Sequence, residues 1–301
     1  MTDRPRHITV CVCTFKRPAL LKRLLDELAR QETGDGSFSF SVVVADNDRE
    51  QSAKPVVEAF TATSPVRAVY CVEPEQNIAR ARNKTLENAT GDYVAFIDDD
   101  EFPAANWLAN LLKTCLARGV DGVLGPVKPC FEEPPPPWAT RGRFFERPTH
   151  ETGWRIDLKE ARTGNVLFDR RMVEGMKDPF LPQFGTGGED VDFFRRMMGQ
   201  GRVFIWCDEA PVFESVPPSR CNRRYLLRRG LLRGRNNFNN PQGRIEKLVI
   251  SALAMPLYTL VLPFSLLLGQ HVFLRFSIKL CDHLGRFLTM FGLNPVKDRD
   301  M

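Results

Sequence analysis

The amino-terminal half of the chain alternates apolar runs with stripes of helical spacing. "HITVCVCTF" (7–15) is a continuous apolar run, the pattern of a strand covered on both faces. Pro18 suits a first helical position, and Leu20, Leu21, Leu24, Leu25 and Leu28 follow at helical spacing. "FSVVVAD" (40–46) is a second strand ending in Asp46, "SAKPVVEAFTAT" a short helix and "VRAVYCVE" a third strand. "NIARARNKTLENAT" is a helix, with Gly91 after it where helices commonly stop, and "YVAFIDDD" is the fourth strand. "AANWLANLLKTCLARG" is the next helix and "DGVLGPV" a further strand. "TGNVLFDRRMV" reads as a strand followed by a turn or a helix start, "FGTGGEDVDFFRRMMGQG" as a glycine-rich loop opening a helix, and "VFIWCDE" as another strand. This alternation predicts an α/β fold with a mostly parallel, Rossmann-like sheet flanked by helices.

In such sheets the ligand lies beyond the carboxyl ends of the strands. Asp46 and the acids Asp98, Asp99 and Asp100 all fall at strand ends, so they are expected on one rim. Two segments depart from the alternating texture. Residues 129–154 are rich in Pro, aromatics and charge and read as a long ordered loop over a site or as a flexible lid. Its aromatics, Trp138, Phe144, Phe145 and Trp154, can stack on a bound ring or simply pack down. Leu248 to Leu274 contains no Asp, Glu, Lys or Arg. That run is long enough to cross a bilayer, which takes roughly 20 residues, although Pro256 and Pro263 interrupt it.

Composition changes this picture in one place. The chain has 301 residues, 43% hydrophobic and 26% charged, as in ordinary globular proteins. The formal net charge of +5 is uneven: "RCNRRYLLRRGLLRGR" (220–235) holds seven arginines and no acid. No nucleic-acid-binding module surrounds that patch. Placed directly before the apolar run, it fits the cytoplasmic flank of a membrane-associated segment, an interfacial or re-entrant hairpin. A basic surface helix over a buried apolar hairpin is the alternative. The eight cysteines form no Cys-x-x-Cys pair and no zinc site with the four histidines. The apolar run after Arg6 is broken at Lys16 and Arg17 within about ten residues, at the short limit for the apolar part of a signal peptide, so no signal peptide is read and the main domain is expected in the cytoplasm.

The candidate chemistry centres on the acids. On an extended chain Asp98 and Asp100 face the same side, and two carboxylates with substrate phosphates are a usual cradle for Mg²⁺ or Mn²⁺. A solvated acidic turn is the plain alternative. Gly187 and Gly188 allow close approach of a substrate to Glu189, Asp190 and Asp192, and a carboxylate there can serve as general base. The same acids can simply favour a helix start. Arg80 and Arg82, near an acidic rim, suit phosphate or the acids themselves, and an ordinary salt-bridged surface is the alternative. A dinucleotide-dependent oxidoreductase is excluded, because "CTFKRPA" after the first strand has no glycine.

Together these stretches resemble a family 2 glycosyltransferase of the GT-A fold. "TVCVCTFKRPALLKRLLDEL", "VVVADND", "NIARARN", "GDYVAFIDDDE" and "GGEDVDFFRR" follow that family's order and spacing over residues 8 to about 235. "IDDDEFP", "GVLGPV", "RTGNVLF", "TGGEDVDFF" and "WCDEAPVFE" further resemble bacterial exopolysaccharide enzymes of the succinoglycan glucosyltransferase kind. The resemblance implies that Thr14 and Asp46 hold the nucleoside and that Arg82 lies near the base or diphosphate. It implies that Asp98 contacts the ribose or metal side, that Asp100 binds Mg²⁺ or Mn²⁺, that Asp190 is the general base and that Glu189 orients the acceptor. Glu214 stands where many relatives carry a metal-ligating His. The Gln-x-x-Arg-Trp element of processive synthases is missing at "CNRRY" (221–225), which argues for addition of a single sugar. The expected reaction is inverting transfer from a UDP-sugar, glucose by the finer resemblance, to a polyprenyl-diphosphate-linked saccharide at the cytoplasmic face of a bacterial inner membrane. A GT-A module that binds nucleotide-sugar or lipid-linked glycan without catalysis is the alternative. The catalytic region is expected over 1–235, with a nucleotide half to about 128 and an acceptor half over 129–235, and a helical membrane-associating region over 236–301.

Overall fold

A computed structural model describes residues 5–34, 36–185, 187–239, 243–293 and 296. The chain divides into two compact units, Met1–Pro129 with Arg147–Ser215, and Cys130–Glu146 with Val216–Met301.

In the first unit β1 (Arg6–Thr14), α1 (Pro18–Leu28), β2 (Phe38–Asp46), α2 (Lys54–Thr63), β3 (Ala68–Val72), α3 (Ile78–Glu87) and β4 (Tyr93–Ile97) alternate as the periodicity predicts. After them come β5 (Glu101–Pro103), α4 (Trp107–Arg118), β6 (Gly122–Leu124) and β7 (Val127–Phe131). The second unit then contributes α5 (Pro137–Gly142). The first resumes with β8 (Asn165–Asp169), α6 (Glu189–Gly199), β9 (Phe204–Trp206) and β10 (Val212–Val216). Seven strands form one sheet in the order β3-β2-β1-β4-β8-β6-β9, and β5-β10-β7 form a second. Within the large sheet β8 alone runs antiparallel, pairing with β4 and β6.

The apolar runs become the core because covered strands leave no face for polar side chains. Ile8, Val10 and Val12 of β1 and Val42 and Val44 of β2 pack under Leu21, Leu24, Leu25 and Leu28 of α1. Phe96, Phe168, Phe180, Phe193 and Phe194 fill the other side. Gly91 does not stop α3, which ends at Glu87. It lets the chain pass under β1, where a Cβ would lie 2.6 Å from the His7 carbonyl oxygen.

The second unit is helical, with α7 (Arg223–Asn239), α8 (Arg244–Ser265) and α9 (Gln270–Met290). Pro256 and Pro263 lie inside α8 without ending it. The uncharged run Leu248–Leu274 is instead divided at Gly269, whose φ of 113° only glycine adopts readily, and Leu274 is a buried residue of α9.

Candidate active site

The parallel register of β1 and β2 sets Thr14 beside Asp46 at the carboxyl ends of adjacent strands. Both are buried. Asp46 accepts hydrogen bonds from the Asp48 and Ala53 backbone N–H groups at 3.1 and 2.9 Å and from the Tyr70 hydroxyl at 3.0 Å. Its carboxylate therefore shapes the turn that opens α2. Asn47, beside it, donates to the Glu73 and Glu75 carbonyls and accepts from the Asn77 N–H. That single side chain ties the ends of β2 and β3 to the start of α3.

The acids follow β4, but the chain turns at Asp99 and Asp100 rather than staying extended. Strand alternation is therefore not what groups Asp98 with Asp100; the turn and its partners do so. Thr14 Oγ1 donates to Asp99 at 2.8 Å, and Arg17 reaches Asp99 at 3.1 Å and Asp100 at 3.4 Å. Glu101, fully buried on β5, accepts from the Asp98 N–H at 3.2 Å. Burial pushes Asp99 up to about 6 against the pull of Arg17, with Asp100 adding to the rise. Crowding by protein also raises Asp98, although one side of its carboxylate still faces solvent, with Arg82 opposing the rise and Asp100 reinforcing it, and burial raises Glu101 well above the carboxylate range. Gly164 makes room for this cluster: a Cβ there would lie 2.9 Å from Glu101 Oε1 and 3.2 Å from Asp98 Oδ2. Its neighbour Asn165 is a buried hub that accepts from Trp107 Nε1 at 2.8 Å and donates to the Ala210 and Pro126 carbonyls.

Glu214 on β10 sits opposite Glu101 in antiparallel register and pairs with Arg147 at 2.6 Å. Arg147 also acts electrostatically on Asp98 and Glu101. Arg162 is nearby; burial first, then the charge of Arg147, lower it to about 10 against the pull of Glu101 and Asp190. Among the described residues no three His, Cys, Asp or Glu side chains form a ready-made ligand set.

The opposite wall comes from α3 and α6. Asn77 caps α3 by accepting from the Arg80 N–H and donates to the Pro182 carbonyl. Asn83 exchanges hydrogen bonds with the Phe180 N–H at 2.9 Å and carbonyl at 2.7 Å. α3 thus holds the loop that leads to Gly187 and Gly188, whose φ values of 132° and 96° favour glycine. The loop delivers Glu189 and Asp190 to the first turn of α6, where the helix dipole favours acids. Buried Arg82 bonds Glu189 and stands 3.7 Å from Asp98. Burial works against its charge, but Glu189, Asp98 and Asp190 outweigh that and hold its pKa up.

The structure therefore gathers Thr14, Arg82, Asp98, Asp100, Glu189, Asp190 and Glu214 through contacts or near charges, with Asp46 beside Thr14 and bonded within its own loop. The run of acids is plain in the sequence, but the parts played in it by Asp99 and Glu101 are not, and nothing in the sequence points to Arg17, Arg147 or Arg162 as their partners. Arg147 and Glu214 are 67 residues apart, so no local spacing announces the pair.

A mixed α/β unit with an acid-rich rim at the carboxyl ends of its strands, faced by a buried arginine, is the frame of a GT-A enzyme. The family model for glycosyl transferase family 2 matches residues 9–174, and the chain belongs to that family as a glycosyltransferase. Among curated proteins it is 35% identical over 238 residues to the succinoglycan biosynthesis protein ExoM of Rhizobium meliloti (strain 1021), covering 79% of this chain and 76% of that protein. Solved structures share the fold. The mannosyltransferase PcManGT of Pyrobaculum calidifontis, in complex with GDP-Man and Mn²⁺, aligns with a TM-score of 0.62 at 20% identity over 95% of this chain and 88% of that one. S. aureus TarS 1-349 in complex with UDP aligns at 0.56 and 17% identity over 97% and 95%.

Proposed function

We propose that this glycosyltransferase moves a sugar, glucose by its likeness to a succinoglycan enzyme, from a UDP-sugar to a hydroxyl of a polyprenyl-diphosphate-linked saccharide in exopolysaccharide synthesis, with inversion. One observation carries the reading. Arg82 links the acids after β4 to the acids that open α6, so donor-side and acceptor-side groups face one another in a single unit.

Thr14 and the Asp46 turn line the nucleoside side of the rim. Asp98 and Asp100 fit a divalent cation held by two carboxylates plus substrate phosphates. Repulsion among these acids is the reason an added cation is favoured: the charge of Asp100 already raises Asp98. Mg²⁺ or Mn²⁺ bound there would supply positive charge toward the leaving diphosphate; the fold shared with PcManGT, in complex with GDP-Man and Mn²⁺, supports a divalent metal. Glu214 is the third candidate ligand and would have to leave Arg147 to take part. Arg147, released from it, suits the diphosphate.

Asp190 takes the proton of the acceptor hydroxyl as its oxygen bonds to the anomeric carbon and the carbon–oxygen bond to UDP breaks on the opposite face. Glu189 fixes Arg82 and with it the spacing between base and donor; its effect on acceptor orientation passes through that pair. Residues 1–235 would carry the chemistry. Residues 236–301 would hold the enzyme at the cytoplasmic face of the bacterial inner membrane. α8 with the turn after it, Arg244–Leu268, is long and apolar enough to cross a membrane by length and composition.

Incubation with UDP-glucose and lipid-linked acceptors, followed by NMR of the product, tests the reading. A β-linked sugar is expected; an α-linkage contradicts inversion. UDP binding without transfer to any acceptor would favour the non-catalytic module.

A further inference from the structure

From the arrangement of the three carboxyl-terminal helices we infer that α8 lies in the plane of an anionic membrane surface, its outer face in the headgroup region, and does not span the bilayer. The inference rests on the membrane association proposed above and not on the donor chemistry.

α8 is two-faced. Ile245, Val249, Leu253, Leu257, Leu260 and Phe264 make one outward stripe at helical spacing, with Ile245 79% and Leu253 74% exposed. The other face is fastened to α9 by polar groups. Ser251 is fully buried; its hydroxyl is 2.9 Å from His283 Nδ1 and accepts from Arg286 at 3.0 Å. Arg286 also bonds Asp282, which accepts from Arg233 of α7 at 3.1 Å. Tyr258 stacks against His283 and meets Phe276, with Lys279 over its ring at 5.9 Å. Ser251 thus meets the carboxyl half of α9 and Tyr258 its middle, so the two helices run antiparallel along their length.

That pairing sets the depth. Tyr258 lies near the centre of Arg244–Leu268. In a spanning helix it would sit near the bilayer midplane and carry Lys279, Asp282 and Arg286 with it, side by side with α7. Ionised groups at that depth are costly. α9 cannot withdraw from α7: a Cβ at Gly230 would lie 2.8 Å from the Ile278 carbonyl oxygen, and Gly234 and Gly285 are in equally direct backbone contact across the same pair. Laid flat, α8 buries its outer stripe and leaves the charges of α9 above the interface, the usual disposition of an amphipathic surface helix.

Charge selects the occupant. From Arg223 to Met290 the chain has eleven Lys and Arg against two acids, Glu246 and Asp282. Arg223, Arg224, Arg229, Arg244, Arg275 and Lys279 are exposed. An anionic lipid surface satisfies both the apolar stripe and this excess of cations; a second copy would place like charges together.

The test uses the full-length protein with vesicles of phosphatidylcholine with or without phosphatidylglycerol. Trp is introduced singly at exposed Ile245, Leu257 and Leu267. Quenching by lipids brominated near the carbonyl or near the chain end is read as a difference from the unsubstituted protein. Equal, shallow quenching at all three sites is expected, with flotation that requires phosphatidylglycerol and weakens as salt is raised. Deep quenching at Leu257→Trp with shallow quenching at Ile245→Trp and Leu267→Trp means a spanning helix and overturns the inference. Absence of flotation in a protein that still turns over donor overturns this inference and the membrane association together and leaves the transferase reading standing. A dimer that shields all three sites from both lipids also overturns it.

Discussion

Arg82 and Arg286 are both held by carboxylates inside the protein, yet they belong to different kinds of polar cluster. Arg82 of α3 meets Glu189, 107 residues away on α6, and Asp98, which follows β4. Arg286 meets Asp282 one turn back on its own helix and Ser251 on the neighbouring one. The first cluster collects charge from several elements at the carboxyl edge of a sheet, and the Asp98 side chain there is 49% exposed. Such concentrated charge costs stability unless a ligand shares it. The second joins three helices and fixes how they pack. A polar cluster drawn from distant sequence and open to solvent marks a site; one closed within a helix bundle marks a joint.

The sharpest test of this difference is Asp190→Asn. Turnover should fall about 10²–10⁴-fold, with UDP affinity by calorimetry little changed. Activity within a few fold of the parent would remove Asp190 as base. Next in size is Arg147→Ala, expected to lower kcat/KM about tenfold to a hundredfold, with Arg147→Lys recovering part of the loss. Unchanged UDP affinity and kcat/KM would confine Arg147 to its pair with Glu214. Gly164→Ala pushes a methyl against Glu101 and Asp98 and should cost about 1–3 kcal/mol in a urea titration. A neutral result would mean that the acids are not packed against this strand end.

The smallest effect concerns pH and is measured in chelator. Asp99 has its pKa raised to about 6 from 3.8, so the folded chain holds that proton more tightly than the unfolded one. The group's contribution is full below about pH 4 and is lost as pH rises through 6. The Tm of the parent should therefore fall relative to Asp99→Asn between pH 5 and pH 7. A constant difference over that range would contradict the assignment.

Much of the first unit was legible because covered strands must be apolar and the leucines after Pro18 recur at helical spacing. The parallel strands β1 to β4 and helices α1 to α4 follow from that alone. β8 was legible as a strand but not as an antiparallel one, since direction depends on the connection through residues 132–164 and not on the run "NVLF". The acids and Arg82 were legible as types at strand and helix ends. Arg17, Arg147 and the bond that Glu101 accepts from the Asp98 N–H were not, because they come from tertiary partners and a turn. Within the uncharged run from Leu248 the prolines read as the interruption and Gly269 only as a weak end, whereas the helix breaks at Gly269, since a hydropathy pattern records apolar length and not where one helix yields to the next.

The central claim is best tested by UDP release from the detergent-solubilised protein with Mg²⁺ or Mn²⁺ across a panel of UDP-sugars, with and without lipid-linked acceptors, beside Asp100→Asn and Asp190→Asn. Metal-dependent turnover of one donor, lost in both variants, is the predicted result. Failure of every donor to turn over, together with no calorimetric binding of UDP, would contradict the account: the acidic rim would then not be a nucleotide-sugar site.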